Sequence, residues 1–99
     1  MEIREASEGF AAVGAEARLA VLLALVRQGP KGLTVGELQT RLGTPASTLA
    51  HHLRILNEGG LISQEKHGRQ VINRANFSKL KNLADYLLNE CCVDAENGC

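Results

Sequence analysis

The sequence predicts a mainly α-helical domain of about five helices with one two-stranded β-hairpin, and three observations lead to this prediction. Leucine-rich runs with apolar residues at helical spacing recur along the chain. Aromatic residues make up only 3 % of it, so aliphatic side chains must fill the interior, which suits packed helices. Two strand-like runs on either side of a glycine are typical of a hairpin. With 99 residues, the chain is expected to form a single domain over residues 1–99.

Two helices are predicted in the first third of the chain, at residues 3–12 and 15–28, with Gly14 between them. The second is apolar on nearly every side, so we expect it to be central and buried. Its apolar residues at helical spacing include Leu19, Leu22, Leu23 and Val26. A turn at residues 29–32 follows it, and Leu33 is expected to add a strand of one or two residues.

A helix-turn-helix is predicted at residues 34–58. Its first helix opens with Thr34 and, three residues later, Glu37, which is the spacing of a capping box. Gly43 stands where the residue that follows a helix often adopts the left-handed conformation. The first helix is therefore expected to end just before this glycine.

The second helix of the pair is expected at residues 46–58, after a corner of only three residues. Thr44 is expected to be its N-cap and Pro45 its first helical residue, where the missing N–H costs nothing. So tight a corner holds two helices at a steep angle. The residues expected to face inward are Leu49, Leu53 and Leu56, with Ile55 beside them.

A hairpin, here called the wing, is predicted at residues 61–75, with Gly68 in its turn because glycine tolerates positive φ. Asn76 is expected to cap a last helix at residues 77–92. That helix has an apolar stripe too continuous for so small a domain, which predicts a dimer. The residues expected at the dimer interface are Phe77, Leu80, Leu83, Ala84, Leu87 and Leu88, and Cys91 continues the stripe.

The second helix of the helix-turn-helix is a candidate for reading DNA, because a helix in the major groove reads bases with its N-terminal residues. Its polar N-terminal residues, expected to face bases or nearby phosphates, are Ser47, Thr48, His51 and His52. The residues expected to hold phosphates are Arg54, Lys66 and Arg69. The sequence contains no nucleophile–base arrangement and no phosphate-binding loop, so we do not expect an enzyme.

The charge distribution also favours double-stranded DNA as the partner. The net charge at pH 7 is zero, but residues 41–81 hold seven Lys or Arg against two Glu, a local charge of +5. Residues 1–40 carry −1 and residues 82–99 carry −4. Attraction to phosphates depends on the local field, so the acidic ends are expected to lie away from DNA.

Over nearly its whole length the chain resembles the ArsR/SmtB family of metal-responsive bacterial repressors. The resemblance is carried by residues 44–56 (TPASTLAHHLRIL), 58–62 (EGGLI) and 66–69 (KHGR). Ala50 stands where the family usually has serine, which implies that one DNA contact is either missing or moved to Ser47 or Thr48. The resemblance implies a homodimer on a palindromic operator that is released when a ligand binds.

The cysteines indicate the ligand. Neither of the family's usual sensor sites is present, because residues 35–42 contain no cysteine and residues 77–92 contain no histidine. The three cysteines of the chain, Cys91, Cys92 and Cys99, lie within its last nine residues, which resembles the arsenic-responsive branch. Thiolates favour soft ions, and trivalent arsenic or antimony needs only three sulfurs, whereas zinc prefers four ligands.

The geometry of this site sets a condition. Neighbouring positions on a helix lie about 100° apart, so Cys91 and Cys92 can share an ion only if the helix frays there. Cys99 must then fold back over residues 93–98. We therefore expect arsenite or antimonite as inducer at these three thiolates, with no organic cofactor.

Other interpretations remain open. The cysteines suit thiol redox or persulfide sensing, with Cys91 or Cys92 paired to Cys99, and they are also compatible with a mobile tail whose cysteines are incidental. The winged helix could instead bind protein.

No stretch resembles a signal peptide, and the apolar run at residues 19–26 is too short to span a bilayer, so we expect a cytoplasmic protein with reduced thiols and no membrane partner. The operator sequence and the preference between arsenic and antimony cannot be read from the sequence.

Overall fold

The structure, a computed structural model, describes residues 1–97; Gly98 and Cys99 lie outside the described range. Within that range the elements are, in order, α1 (Ile3–Ala12), α2 (Glu16–Gln28), α3 (Val35–Leu42), α4 (Ala46–Glu58), β1 (Ile62–His67), β2 (Gln70–Ala75) and α5 (Phe77–Leu88). β1 and β2 pair as an antiparallel hairpin. The predicted fold class, a winged helix-turn-helix of five helices and a two-stranded wing, is confirmed.

The core is aliphatic and lies where α2, α3 and α4 meet. The leucines predicted to face inward from α4 are buried; they are Leu49, Leu53 and Leu56. The expectation that α2 is central and buried holds for one side of the helix, where Val21, Leu22, Ala24 and Leu25 are buried, but Leu19 and Leu23 are 42 % and 37 % exposed. The elements that pack on α2, namely α3, α4 and β2, leave this face of the helix uncovered.

The ends of α3 follow the predicted signals, whereas the start of α4 does not. The Thr34 hydroxyl accepts from the Glu37 backbone N–H at 3.2 Å, and the Glu37 carboxylate accepts from the Thr34 N–H at 2.9 Å, which completes the capping box. Gly43 is left-handed, with φ 65° and ψ 24°. α4 spans the predicted residues Ala46–Glu58, but its N-cap is not the predicted Thr44. Pro45 is its N-cap because its ψ of 148° is extended rather than helical.

The wing is attached to the helical core through the connection between α2 and α3. Leu33 forms the expected short bridge with Asn73 of β2, its N–H donating to the Asn73 carbonyl at 2.9 Å and its own carbonyl accepting from the Asn73 N–H at 2.8 Å. The Asn73 side chain is fully buried; its amide donates to the Leu33 carbonyl at 3.1 Å and accepts from the Gln64 amide at 2.9 Å. Two more contacts act beside it. Gly32, at φ +75°, lies so close that a Cβ there would stand 2.5 Å from the Asn73 carbonyl oxygen, and Arg74 donates to the Pro30 carbonyl at 2.9 Å. We call Gly32, Leu33, Gln64, Asn73 and Arg74 the wing base.

The last helix starts as predicted and ends early. The Asn76 side chain accepts from the Lys79 N–H at 3.2 Å and caps the start of α5. The helix predicted to reach residue 92 ends at Leu88, and residues 89–95 form successive tight turns instead, such as the Cys91 N–H on the Leu88 carbonyl at 3.0 Å. Cys92 has a φ of 60°, which is uncommon for a residue other than glycine. The geometric condition on the two cysteines is therefore met by helix termination.

Among the described residues no single helix is long and apolar enough to cross a membrane. Only α1 and α2 taken together, although bent by 95°, have the required length and composition.

Candidate nucleic-acid interface and cysteine segment

The N-terminal half of α4 presents a polar face to the outside, because the leucines on its other side are buried in the core. Ser47, Thr48 and His51 are exposed. A groove of about 320 Å³ runs along this face, lined by Ser47, Ala50, His51 and Arg54, at helical spacing. These four residues are here called the reading face. Helical geometry thus brings together three of the predicted DNA-contacting residues and adds Ala50.

Two histidines follow one another on α4 but have different surroundings. His51 is exposed, and its Nδ1 lies 3.1 Å from a guanidinium nitrogen of Arg54. His52 is half-buried, and its Nδ1 is buried without a hydrogen-bond partner. Burial lowers the pKa of His52 below 6.5, and the positive charge of Arg18, followed by the electrostatic interaction with His51, lowers it further. Less of the His52 ring than of the His51 ring is available to a partner.

The basic residues of the middle segment fall into two groups. Three lie in ion pairs at 2.6–2.7 Å, which reduces their attraction for an external anion: Arg74 with Glu65, Lys79 with Glu5 and Lys81 with Asp85. Arg41 donates to the Gln28 side chain at 2.6 Å. The three predicted to hold phosphates, Arg54, Lys66 and Arg69, form no ion pair within the described part of the chain. Within residues 1–97, the charges of this segment that lie outside ion pairs are therefore those of Arg54 on α4, of Lys66 and Arg69 at the wing tip, and of Arg41, which contacts a neutral amide.

The wing tip displays two of those charges. Lys66 and Arg69 are both exposed, near the end of β1 and in the turn that follows it. Glu65 lies between His67, at 3.1 Å, and Arg74, at 2.7 Å. The hydrogen bond from His67, followed by that from Arg74, holds the pKa of the Glu65 carboxyl below 4.5. Glu65 is thus compensated by these two residues and leaves Lys66 and Arg69 unopposed.

The apolar stripe of α5 divides into an inner and an outer part. Leu83 is buried against α1, where a Cβ on Gly9 would come within 3.0 Å of it, and Leu80 is half-buried. The outer part, here called the outer stripe, is exposed and consists of Phe77 (41 % exposed), Ala84, Leu87 (59 %) and Leu88 (69 %). Ile3 on α1, which packs against α5, is 75 % exposed. Two neighbouring helices therefore expose large apolar side chains.

Residues 89–97, here called the cysteine segment, follow α5. The Sγ atoms of Cys91 and Cys92 are 3.4 Å apart, and Cys91 is exposed. Cys92 is disulfide-bonded. The third predicted ligand, Cys99, lies outside the described residues. Over residues 1–97 no three His, Cys, Asp or Glu side chains come together in a way that could hold a metal ion.

Known proteins share both the sequence pattern and the fold. Residues 13–65 match the helix-turn-helix domain family. The HTH-type transcriptional repressor SmtB of Mycobacterium tuberculosis is 33 % identical over 90 residues, which are 91 % of this chain and 58 % of SmtB. Among solved structures, an ArsR-like transcriptional regulator from Rhodococcus sp. RHA1 aligns with a TM-score of 0.76 at 31 % identity, covering 87 % of this chain and 78 % of that one. Reduced HlyU from Vibrio cholerae aligns with a TM-score of 0.70 at 29 % identity, covering 90 % of each chain.

Fold and sequence together define a winged helix-turn-helix protein of the transcription-regulator class. Within that class, the chain belongs to the ArsR/SmtB family. It spans 58 % of the length of the SmtB proteins it matches.

Sequence reasoning missed two features of the interface. It assigned Arg54 to phosphate alone, although the spacing of three residues from His51 places the two side chains on one helix face. It treated Ala50 only as a departure from the family pattern, whereas the structure places this methyl group within the reading face.

Proposed function

We propose that this chain is a transcriptional repressor that binds operator DNA as a homodimer and is released when arsenite or antimonite binds its C-terminal thiolates. The observation that carries the proposal is the exposed polar face of α4, together with Arg54, Lys66 and Arg69, which form no ion pair within residues 1–97. Polar side chains at the N-terminal end of such a helix read base edges, and nearby cations hold phosphates.

DNA binding is tested through its salt dependence. Arg69→Ala removes one cation at the wing tip, so binding to all sequences should weaken about equally, and the slope of log K against log salt should fall by roughly one unit. Lys81→Ala is the matched control, because Lys81 is already paired with Asp85 on α5. An unchanged slope for Arg69→Ala would rule out the wing contact.

Dimerisation is supported by the outer stripe of α5 together with Ile3. Two copies joined there would place their α4 helices in successive major grooves, about 34 Å apart. Leu87→Asp puts a charge in that interface and should give a monomer in sedimentation. Asn82→Asp adds the same charge to the same helix away from the stripe and should remain a dimer. A dimeric Leu87→Asp protein would place the interface elsewhere.

Metalloid sensing is supported by the cysteine segment. Two sulfurs 3.4 Å apart, in a turn rather than on a helix, can approach one soft ion together, provided that the disulfide of Cys92 is reduced. The bound ion would fix the conformation of the turns that follow α5. Because α5 carries the outer stripe, this would act on the proposed dimer interface. Release requires the ion to favour the DNA-free form by several kcal/mol. By linkage, operator DNA should weaken arsenite affinity by the same factor.

A gel shift of the reduced protein with arsenite tests this step. Wild type should leave its DNA, and each of Cys91→Ser, Cys92→Ser and Cys99→Ser should bind DNA normally but fail to leave it. Three thiols replace the three hydroxyl groups of arsenous acid and their protons leave as water, so no net proton is exchanged and release by arsenite at equilibrium should depend little on pH near neutrality. Release of a triple-serine variant by arsenite would disprove metalloid sensing at these thiols while leaving DNA binding intact.

Thiol redox sensing is the second candidate, and the disulfide of Cys92 favours it. The Cys91 sulfur, 3.4 Å from that of Cys92, is placed to exchange with it. A redox sensor should be released by peroxide or polysulfide, be restored by a dithiol reductant and ignore arsenite. That outcome would assign the cysteines to oxidation instead.

A further inference from the structure

We infer that the reading face selects a guanine next to a thymine in each half-site, with His51 donating to guanine N7 and Ala50 contacting the thymine methyl group. This inference rests on the proposed DNA binding and specifies its sequence preference. Arg54 acts in it as a positioning residue, through His51.

The argument begins with the pair of Arg54 and His51. The guanidinium of Arg54 has only N–H donors, so at 3.1 Å it must donate and His51 Nδ1 must accept. A neutral imidazole that accepts at Nδ1 carries its proton on Nε2. His51 therefore offers one N–H donor from an exposed ring on the reading face.

A fixed donor selects among base edges. In the major groove guanine presents two adjacent acceptors, N7 and O6, whereas adenine places an amino donor beside its N7 and cytosine presents an amino donor. A group that can only donate meets a competing donor at adenine and cytosine, finds the single acceptor O4 beside a methyl group at thymine, and finds two adjacent acceptors only at guanine. The chemistry thus favours guanine opposite His51.

Ala50 supplies the second preference. It is exposed, and it lies between Ser47 and Arg54 on the reading face. Its methyl group neither donates nor accepts, so a polar base edge placed against it would lose its hydration without gaining a hydrogen bond. The thymine C5-methyl is the apolar group that base edges present in the major groove. Because Ala50 and His51 line the same groove, the two bases are neighbours.

Both contacts are tested with base analogues. The wild-type protein first selects duplexes from a randomised pool, and the analogues are then placed in those duplexes. Replacing the contacted thymine by deoxyuridine removes one methyl group and should weaken binding roughly fourfold. Replacing the guanine by 7-deazaguanine removes N7 and should weaken it about fivefold or more. Ala50→Gly should bring the thymine-to-deoxyuridine ratio close to one; if this variant does not fold, Ala50→Ser should also shrink the ratio.

The positioning role of Arg54 is tested through the ratio of the affinities for the guanine duplex and the 7-deazaguanine duplex. Arg54→Met removes the donor that fixes the ring and should reduce the 7-deazaguanine penalty to less than about twofold, whereas Arg54→Lys, which still donates, should keep most of it. A role limited to phosphate would weaken all duplexes alike and leave the ratio unchanged. Salt-dependent binding without either analogue penalty would overturn the inference and leave the proposed function standing. Failure to select any duplex would overturn both.

Discussion

The wing base and the cysteine segment are both non-helical parts of the molecule, and they are held in opposite ways. At the wing base, a fully buried Asn73 side chain bonds to Leu33, 40 residues away in sequence. In the described part of the cysteine segment, the backbone hydrogen bonds span three residues, such as that from the Ala95 N–H to the Cys92 carbonyl, and Val93 is 64 % exposed. The first region is fixed by the rest of the fold. The second is held by local turns and by the disulfide of Cys92, so once that disulfide is reduced it can change conformation at little cost to the core.

The largest expected effect is at Gly32, where a substitution would break the tight contact of the wing base. A Cβ there meets the Asn73 carbonyl at 2.5 Å and the Arg74 side chain at 2.7 Å, at a positive φ. Gly32→Ala should lower the free energy of unfolding by about 3 kcal/mol or more, measured by urea denaturation. The matched control is Gly43→Ala, also at positive φ but with open space around it, which should cost only about 1–2 kcal/mol. Equal losses would mean that backbone conformation, and not the contact, is responsible.

Asn73 comes next. Asn73→Ala removes both side-chain bonds and leaves the Leu33 carbonyl with one partner fewer, so we expect a loss of about 2 kcal/mol. Gln64→Ala removes one of these bonds from its partly exposed end and should cost less. If the two variants lose the same stability, the bond to Leu33 contributes nothing and the contrast with the cysteine segment weakens.

The capping box of α3 is local, like the turns of the cysteine segment, but it belongs to the core. Thr34→Ala removes the acceptor for the Glu37 N–H and should cost about 1 kcal/mol. Thr34→Ser keeps the hydroxyl and is the control. A neutral Thr34→Ala change would indicate that the long-range contacts of the neighbouring wing base alone fix the start of α3.

The pH dependence of the same box is a smaller effect. Hydrogen bonds from Thr34 hold the pKa of Glu37 below 4.5. Because the folded pKa is depressed, the carboxylate contributes stability that is present above pH 4.5 and is lost as the pH falls through the lowered pKa. The stability difference between wild type and Glu37→Gln should therefore be larger at pH 7 than at pH 2. A difference that does not change with pH would contradict the assignment.

The smallest effect is expected in the cysteine segment. Cys91 is exposed and lies beyond the end of α5, so Cys91→Ser should change the free energy of unfolding by less than about 0.5 kcal/mol under reducing conditions. Leu83→Ala, in the buried part of α5, is the contrasting control and should cost about 2–5 kcal/mol. A loss above 1 kcal/mol for Cys91→Ser would show that the segment is packed against the core.

The sequence predicted what depends on neighbours along the chain. The capping box at Thr34, the left-handed Gly43 and the inward leucines of α4 are short-range patterns, and each is confirmed. The burial of Asn73 and the close approach at Gly32 were not predicted, because each depends on a segment about 40 residues away. The end of α5 was placed four residues too late, since the apolar stripe runs on to Cys91 without a stop signal.

In the candidate site, too, short-range features were predicted from the sequence and features that depend on packing were not. Helical spacing was enough to place Ser47 and His51 on one exposed face, whereas the pairing of His51 with Arg54 and the exposure of Leu19 needed the packed structure. The metalloid, DNA and dimer assignments of individual residues remain predictions.

The absence of a side chain at Gly9 has a consequence for how proteins of this kind diversify. A methyl group there would stand 3.0 Å from Leu83, so the neighbour would have to yield by a few tenths of an ångström. If α5 yields rather than the Leu83 side chain, the exposed apolar side chains of α5 move with it. In the proposed dimer both copies would make the same shift, so a single position remote from the proposed DNA contacts would adjust the separation of the two half-sites.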